Sequence, residues 1–186
     1  LPINKYFLIL ITGNSALLGI LDIGLKIALI ANSFLNSIAQ PLFGVFTNMN
    51  KEKDKIYDIT IKTSILLFVM YLTGNILYYF IGDEISYLID KTNYKDIYII
   101  STILLLGITF SSVSEPFYRA FLAQEKLKYA FYLKLLVPIL NLVIYFISIN
   151  VDILSKFAIA YSLAIFSSSL LIISFYIYNY KKESIK

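Results

Sequence analysis

The sequence predicts an all-α polytopic membrane protein, and three observations carry that prediction. Of 186 residues, 59% are hydrophobic and only 15% charged, with a mean hydropathy of +0.76; a soluble domain carries about a quarter charged residues. The apolar residues gather into five runs, each close to or above the roughly 20 residues that cross a bilayer as a helix. The segments between the runs are short and polar, which leaves no room for a soluble catalytic or nucleic-acid-binding domain among them.

A window of about 19 residues places the spans at 20–46, 60–81, 97–122, 130–149 and 157–180, in a single bundle covering 1–186. Ahead of the first lies "LPINKYFLILITG", whose apolar stretch at 6–11 is too short to span and lacks a signal-peptide cleavage pattern. It reads as the truncated end of an earlier helix, and the chain as part of something longer. The first span ends at Pro41 and the lysine-rich "TNMNKEKDKIYD". The second is bounded by "GDEISYLIDKTNYKD", the third by "AQEKLKY" and the fourth by "NVDILSK", all read as surface loops. Tyr78, Tyr79, Tyr87 and Tyr94 flank the second loop, and Tyr176, Tyr178 and Tyr180 close the last span, as an interfacial aromatic belt does.

Five spans put alternate loops on alternate sides, and cytoplasmic loops collect Lys and Arg. One side holds ten: Lys51, Lys53, Lys55, Lys62, Arg119, Lys126, Lys128, Lys181, Lys182 and Lys186. The other holds four, Lys5, Lys91, Lys95 and Lys156. The distribution predicts a multi-pass protein of the cytoplasmic (inner) membrane with a cytoplasmic C-terminus. Lys26 and Lys134 remain inside spans.

Charges and amides in the spans are the candidate functional residues, because a charge at the bilayer centre costs at least ~2.5 kcal/mol and usually faces protein or water. At about 100° per residue, Asp22, Lys26, Ser33, Asn36, Ser37 and Gln40 lie within roughly 60° of one direction, and Asn32 strays from it. Asp22 and Lys26 form an (i, i+4) pair that lowers the cost without making the stripe apolar. Thr109, Ser112 and Glu115 lead to Arg119 on the third span, with Glu115 and Arg119 read as a structural ion pair. Lys134, Pro138, Asn141, Tyr145 and Ser148 share a face of the fourth. Proline at 41, 116 and 138 can kink a helix. These features predict bent helices around a polar interior, while most Ser and Thr positions read as helix-packing residues.

The chain has no Cys and no His, so disulfides and ordinary zinc, haem or thiol-nucleophile sites are excluded. No metal site, cofactor or catalytic residue is predicted. Glu115 stands beside Arg119 and Pro116 with no second carboxylate within a turn, a poor basis for acid–base chemistry. No nucleic-acid partner is implied; membrane lipids are.

The order of "GNSALLGILDIGLKIA", "AQPLFGVFTNMNKEKDK", "YKDIYIISTILLLG" and "EPFYRAFLAQEKLKYAFYLKLLVPILNLVIYF" resembles the C-terminal half of polysaccharide and O-antigen flippases. These belong to the multidrug/oligosaccharidyl-lipid/polysaccharide exporter superfamily. Residues 17–28, 41–54 and 121–141 carry the likeness. On it, 1–11 look like the tail of helix seven and the five spans like helices eight to twelve, one six-helix bundle of a twelve-helix fold. The resemblance implies a partner N-terminal half and flipping of an undecaprenyl-linked oligosaccharide by alternating access. On that implied function, Asp22, Lys26, Asn36, Gln40 and Asn141 belong to the substrate path, and Lys134 offers charge to a pyrophosphate. Alternatives are a drug or cation exporter of the same superfamily and a non-transporting subunit of a sugar-export machinery.

Overall fold

The computed structural model describes residues 13–49, 52–147 and 152–184. The expected helix remnant at 1–11, Lys5, Lys51, Ser148 and Lys186 lie outside the described residues. Among the described residues six helices follow in order: α1 Ser15–Ala39, α2 Leu42–Asn48, α3 Lys53–Ile89, α4 Tyr94–Ala123, α5 Leu127–Ile147 and α6 Ile153–Ser184. Five spans among the described residues are long and apolar enough to cross a membrane once α1 and α2 are taken together as Ser15–Asn48.

Helix α1 starts where Gly13, at φ +60, turns the chain and the Asn14 side chain accepts a hydrogen bond from Ala16 N at 2.9 Å. It ends at Pro41, which brings no N–H to the helix. Gln40 and Pro41 nevertheless keep right-handed helical angles, so α2 continues α1. Pro116 and Pro138 stay inside α4 and α5 without ending them. Of the three expected proline sites, only Pro41 interrupts a helix.

The helices run past the apolar spans at several ends. The 37-residue α3 takes in 53–58 and 82–89, both read from sequence as loop. Once a helix is nucleated, each further residue adds a hydrogen bond, and no proline stands between 53 and 89. The loop after α3 is therefore only 90–93, and Asp90 ties it. Its Oδ1 accepts from Thr92 N at 2.8 Å, Thr92 Oγ1 at 2.6 Å and Asn93 N at 3.3 Å, and its Oδ2 from Asn93 Nδ2 at 2.9 Å.

These bonds, led by the Thr92 hydroxyl, hold the Asp90 carboxyl well below the usual carboxylate range. A carboxyl lowered on folding contributes fully above its ordinary pKa and loses that contribution only as pH falls through the lowered value. At neutral pH, Asp90→Ala is expected to speed amide exchange at Thr92 and Asn93; unchanged rates at both would show that Asp90 does not hold the turn.

Helix α4 is the hub, packed along α1, α3 and α6. Within its apolar window 67% is buried, against 22% for α3 and 11% for α5, so α4 is the core and the other two turn most of their apolar surface outward. Small residues allow the close crossings that membrane helices favour. A Cβ on Gly24 of α1 would lie 2.9 Å from Ile100 Cγ2 and 3.2 Å from Ser101 N of α4, and Gly107 of α4 abuts the Ser162 backbone of α6.

Hydroxyls bind the helices to one another, as the packing reading of the Ser and Thr positions expects. Ser64 Oγ of α3 donates to Val113 O of α4 at 2.8 Å, and Tyr71 OH to Leu106 O at 3.2 Å. Ser168 Oγ of α6 donates to Leu133 O of α5 at 2.9 Å. At the lysine-rich end, the fully buried Phe46, Phe117 and Phe121 pack with Tyr176, closing that end of the bundle around α4.

Candidate functional site

A polar cavity of about 260 Å³ lies between α1, α4, α5 and α6, roomy enough for several waters. Helix α1 supplies Asn32 and Asn36, one turn apart. Helix α4 supplies Ser111, Ser114 and Glu115; α5 supplies Lys134; α6 supplies Tyr161, Ser168 and Ser169. Each of these side chains arises from a helix whose remaining surface is mostly apolar, so the polar groups concentrate where the four helices face one another.

The geometry of α1 explains which of its amides take part. Of its buried residues, Leu21, Leu25 and Ala28 pack against α4 and Leu35 and Ala39 against Leu67 of α3, and the predicted polar stripe is centred roughly 140° from this packing side around the helix. Asn32, the residue that strays from the stripe, sits nearest the packing face. Its Oδ1 accepts hydrogen bonds from Ser112 Oγ at 2.8 Å and Ser111 Oγ at 3.2 Å of α4. Asn36 lies on the shoulder between, lines the cavity, and has a buried Oδ1 without a hydrogen-bond partner. Such an acceptor is costly to leave unsatisfied, and it belongs to a residue of the cavity lining.

On the opposite wall Glu115, with 13% of its side chain exposed, is shared by two cations. Arg119 Nη2 lies 2.8 Å from Oε1, one turn along α4, and Lys134 Nζ of α5 lies 3.9 Å from Oε2. The Lys134 ammonium also stands 3.9 Å from the centroid of the Tyr118 ring, within cation–π range. One carboxylate against two cations leaves this wall with a net charge of +1. Glu115 and Arg119, read from sequence as a closed structural pair, and Lys134, read as a path residue, thus form one cluster.

The other predicted path residues are placed elsewhere. Lys26 is 72% exposed and 3.8 Å from Asp22, on the side of α1 turned away from α4. Gln40 is exposed at the α1–α2 junction, and neither it, Asp22 nor Lys26 lines the cavity. Asn141 is buried on α5 away from the cavity. Beyond it, the Tyr145 ring packs against Phe157 of α6 at 4.6 Å. The α5 polar face accordingly starts in the cavity at Lys134 and then turns into the α5–α6 seam.

Asn32, Ser111, Ser114, Ser168 and Ser169 are cavity residues that sequence patterning assigned to packing or left out. The runs "SSVSE" and "SSS" in otherwise apolar helices were the available signal. A larger groove of about 410 Å³ between α3, α4 and α6, lined by Tyr71, Ile103, Leu106, Gly107 and Phe166 among others, is apolar and offers little hydrogen-bonding chemistry. The polar cavity can accept and donate hydrogen bonds and attract an anion. Its one carboxylate is already held by two cations, which disfavours it as a cation ligand.

Fold and site together define an all-α, multi-pass membrane protein with a polar cavity among its helices. Compared with protein-family models, curated proteins and solved structures, the chain matches none.

Proposed function

We propose that this chain is part of a flippase that carries a lipid-linked oligosaccharide of the undecaprenyl type across the cytoplasmic membrane in surface polysaccharide synthesis, with its lysine-rich side and C-terminus in the cytoplasm. The observation that carries the reading is the cavity, where Asn36, serines of two helices and the net-positive Glu115–Arg119–Lys134 wall stand inside a membrane bundle. A sugar bearing phosphate presents hydroxyls and negative charge, and these groups replace its hydration by hydrogen bonds and Coulomb attraction. The exposed Lys26, Ser33, Ser37 and Gln40 of α1 extend the polar surface from the cavity, and a second half-transporter facing them would complete the path and shield them from lipid. No bond in the substrate is made or broken.

A drug or cation exporter would need a free intramembrane acid, and the cavity's acid is neutralised twice over. In cells lacking their own flippase and supplied with an N-terminal half, Asn36→Leu combined with Lys134→Leu is expected to lower polysaccharide export at least tenfold while membrane levels of the protein persist. Export at the unsubstituted level would refute the reading.

A further inference from the structure

We propose that Glu115 is a built-in competitor for the substrate's anionic group, and that Lys134 changes partner between Glu115 and a phosphate-type anion in the cavity. This rests on the reading of the cavity as a path for a phosphate-bearing substrate and adds how the anion is held and released. The two cations hold Glu115 unequally. Arg119 is at hydrogen-bonding distance, 2.8 Å, whereas Lys134 at 3.9 Å is attracted but not hydrogen-bonded. Its other neighbour is the face of the Tyr118 ring, which accepts no conventional hydrogen bond. The ammonium therefore has donors to offer to a group in the cavity, and 51% of the side chain is exposed to receive one.

The helices give the exchange a direction. Glu115 and Arg119 lie one turn apart on the buried helix α4, so their pair persists whatever α5 does. Lys134 belongs to α5, whose apolar window is only 11% buried and which packs chiefly on α6. An anion that takes Lys134 loosens a tie between α4 and α5 and leaves Glu115 with Arg119. When the anion departs, Glu115 reclaims Lys134. A site with a resident rival binds its ligand less tightly than the bare cations would, which favours release on the far side of a transport cycle.

The test is calorimetric titration of the intact chain with inorganic pyrophosphate, in maltoside micelles that contain no phosphate. Glu115→Gln keeps an acceptor for Arg119 but frees Lys134, and is expected to bind pyrophosphate at least fivefold more tightly than the unsubstituted chain. Lys134→Met is expected to bind at least tenfold more weakly, and the double variant to match Lys134→Met, since Glu115 acts through Lys134. Equal or weaker binding by a folded Glu115→Gln, or unchanged binding by Lys134→Met, overturns the proposal. Should Glu115→Gln fail to fold, Glu115→Ala combined with Arg119→Met serves instead: it likewise leaves Lys134 without its carboxylate neighbour and should bind pyrophosphate at least fivefold more tightly than the unsubstituted chain, with equal or weaker binding again overturning the proposal. Phosphatidylglycerol added to the micelles separates the sources of the anion. Loss of the pyrophosphate response would assign Lys134 to lipid headgroups and overturn the exchange with substrate, whereas an undiminished response supports it. If pyrophosphate binding follows the expected order while export ignores Asn36 and Lys134, the transport reading falls and the exchange stands.

Discussion

Gly107→Ala is expected to be among the most damaging single substitutions in this protein, costing about 3 kcal/mol, the upper part of the range for overpacking. A Cβ at this position would collide with the Ser162 carbonyl oxygen and hydroxyl and would lie 2.5 Å from Ser162 Cα. Two of those atoms are backbone, so no rotamer change relieves the clash; α4 and α6 must separate along the seam that supports the hub helix. Thermal unfolding of the detergent-purified chain measures the loss. Gly74→Ala is the matched comparison, because nothing lies within 4 Å of its Cβ position in the middle of α3, and a mid-helix alanine gains roughly 0.5–1 kcal/mol over glycine. Equal melting of Gly107→Ala and the unsubstituted chain would mean that α4 and α6 do not cross as described.

The second large effect is expected from Glu115→Ala. Removing the carboxylate takes the wall from a net charge of +1 to +2 and leaves Arg119, 29% exposed, facing Lys134 across the seam between α4 and α5. Stripping one partner from a fully buried ion pair costs about 3 kcal/mol or more, and with Glu115 13% and Arg119 29% exposed the loss falls below that figure, because water compensates part of the remaining charge. Adding Arg119→Met to Glu115→Ala should recover part of that loss, since the orphaned charge is then gone. Such a recovery is the non-additivity expected of residues in one network. Strictly additive losses in the unfolding midpoint would show that Glu115 and Arg119 do not depend on each other in the fold. Glu115→Gln differs from Glu115→Ala in keeping a hydrogen-bond acceptor for Arg119, which makes it the milder change.

Both effects turn on contacts that one-dimensional patterning could not rank. The stripe on α1 was legible because charges and amides at about 100° per residue reveal a shared face. Its orientation was not. Periodicity says which residues lie together but not what the face meets, and here α4 claims the neighbouring side of the helix. Asn32, off the stripe, consequently bonds Ser111 and Ser112, while Lys26, on it, is exposed. The spacing of Glu115 and Arg119 disclosed their pair, but Lys134 is 19 positions from Glu115 and reaches it only because α5 folds back along the bundle. The same limit applies to 82–89: polarity marks the end of the apolar span, and helical hydrogen bonding continues past it until Asp90.

Composition and hydropathy alone decide that this chain is helical and crosses a membrane several times, because backbone N–H and C=O groups in hydrocarbon must be satisfied within each segment and only length and apolarity are needed to specify that. They decide nothing about which helix is central or which polar groups meet. Those depend on contacts between residues far apart in the chain: Gly107 admitting α6 to α4, Asn32 bridging to Ser112, and Lys134 arriving beside Glu115. Packing also divides the polar residues of α1 between cavity and exposed surface, since a helix has one circumference and α4 occupies the side next to Asn32 and Asn36.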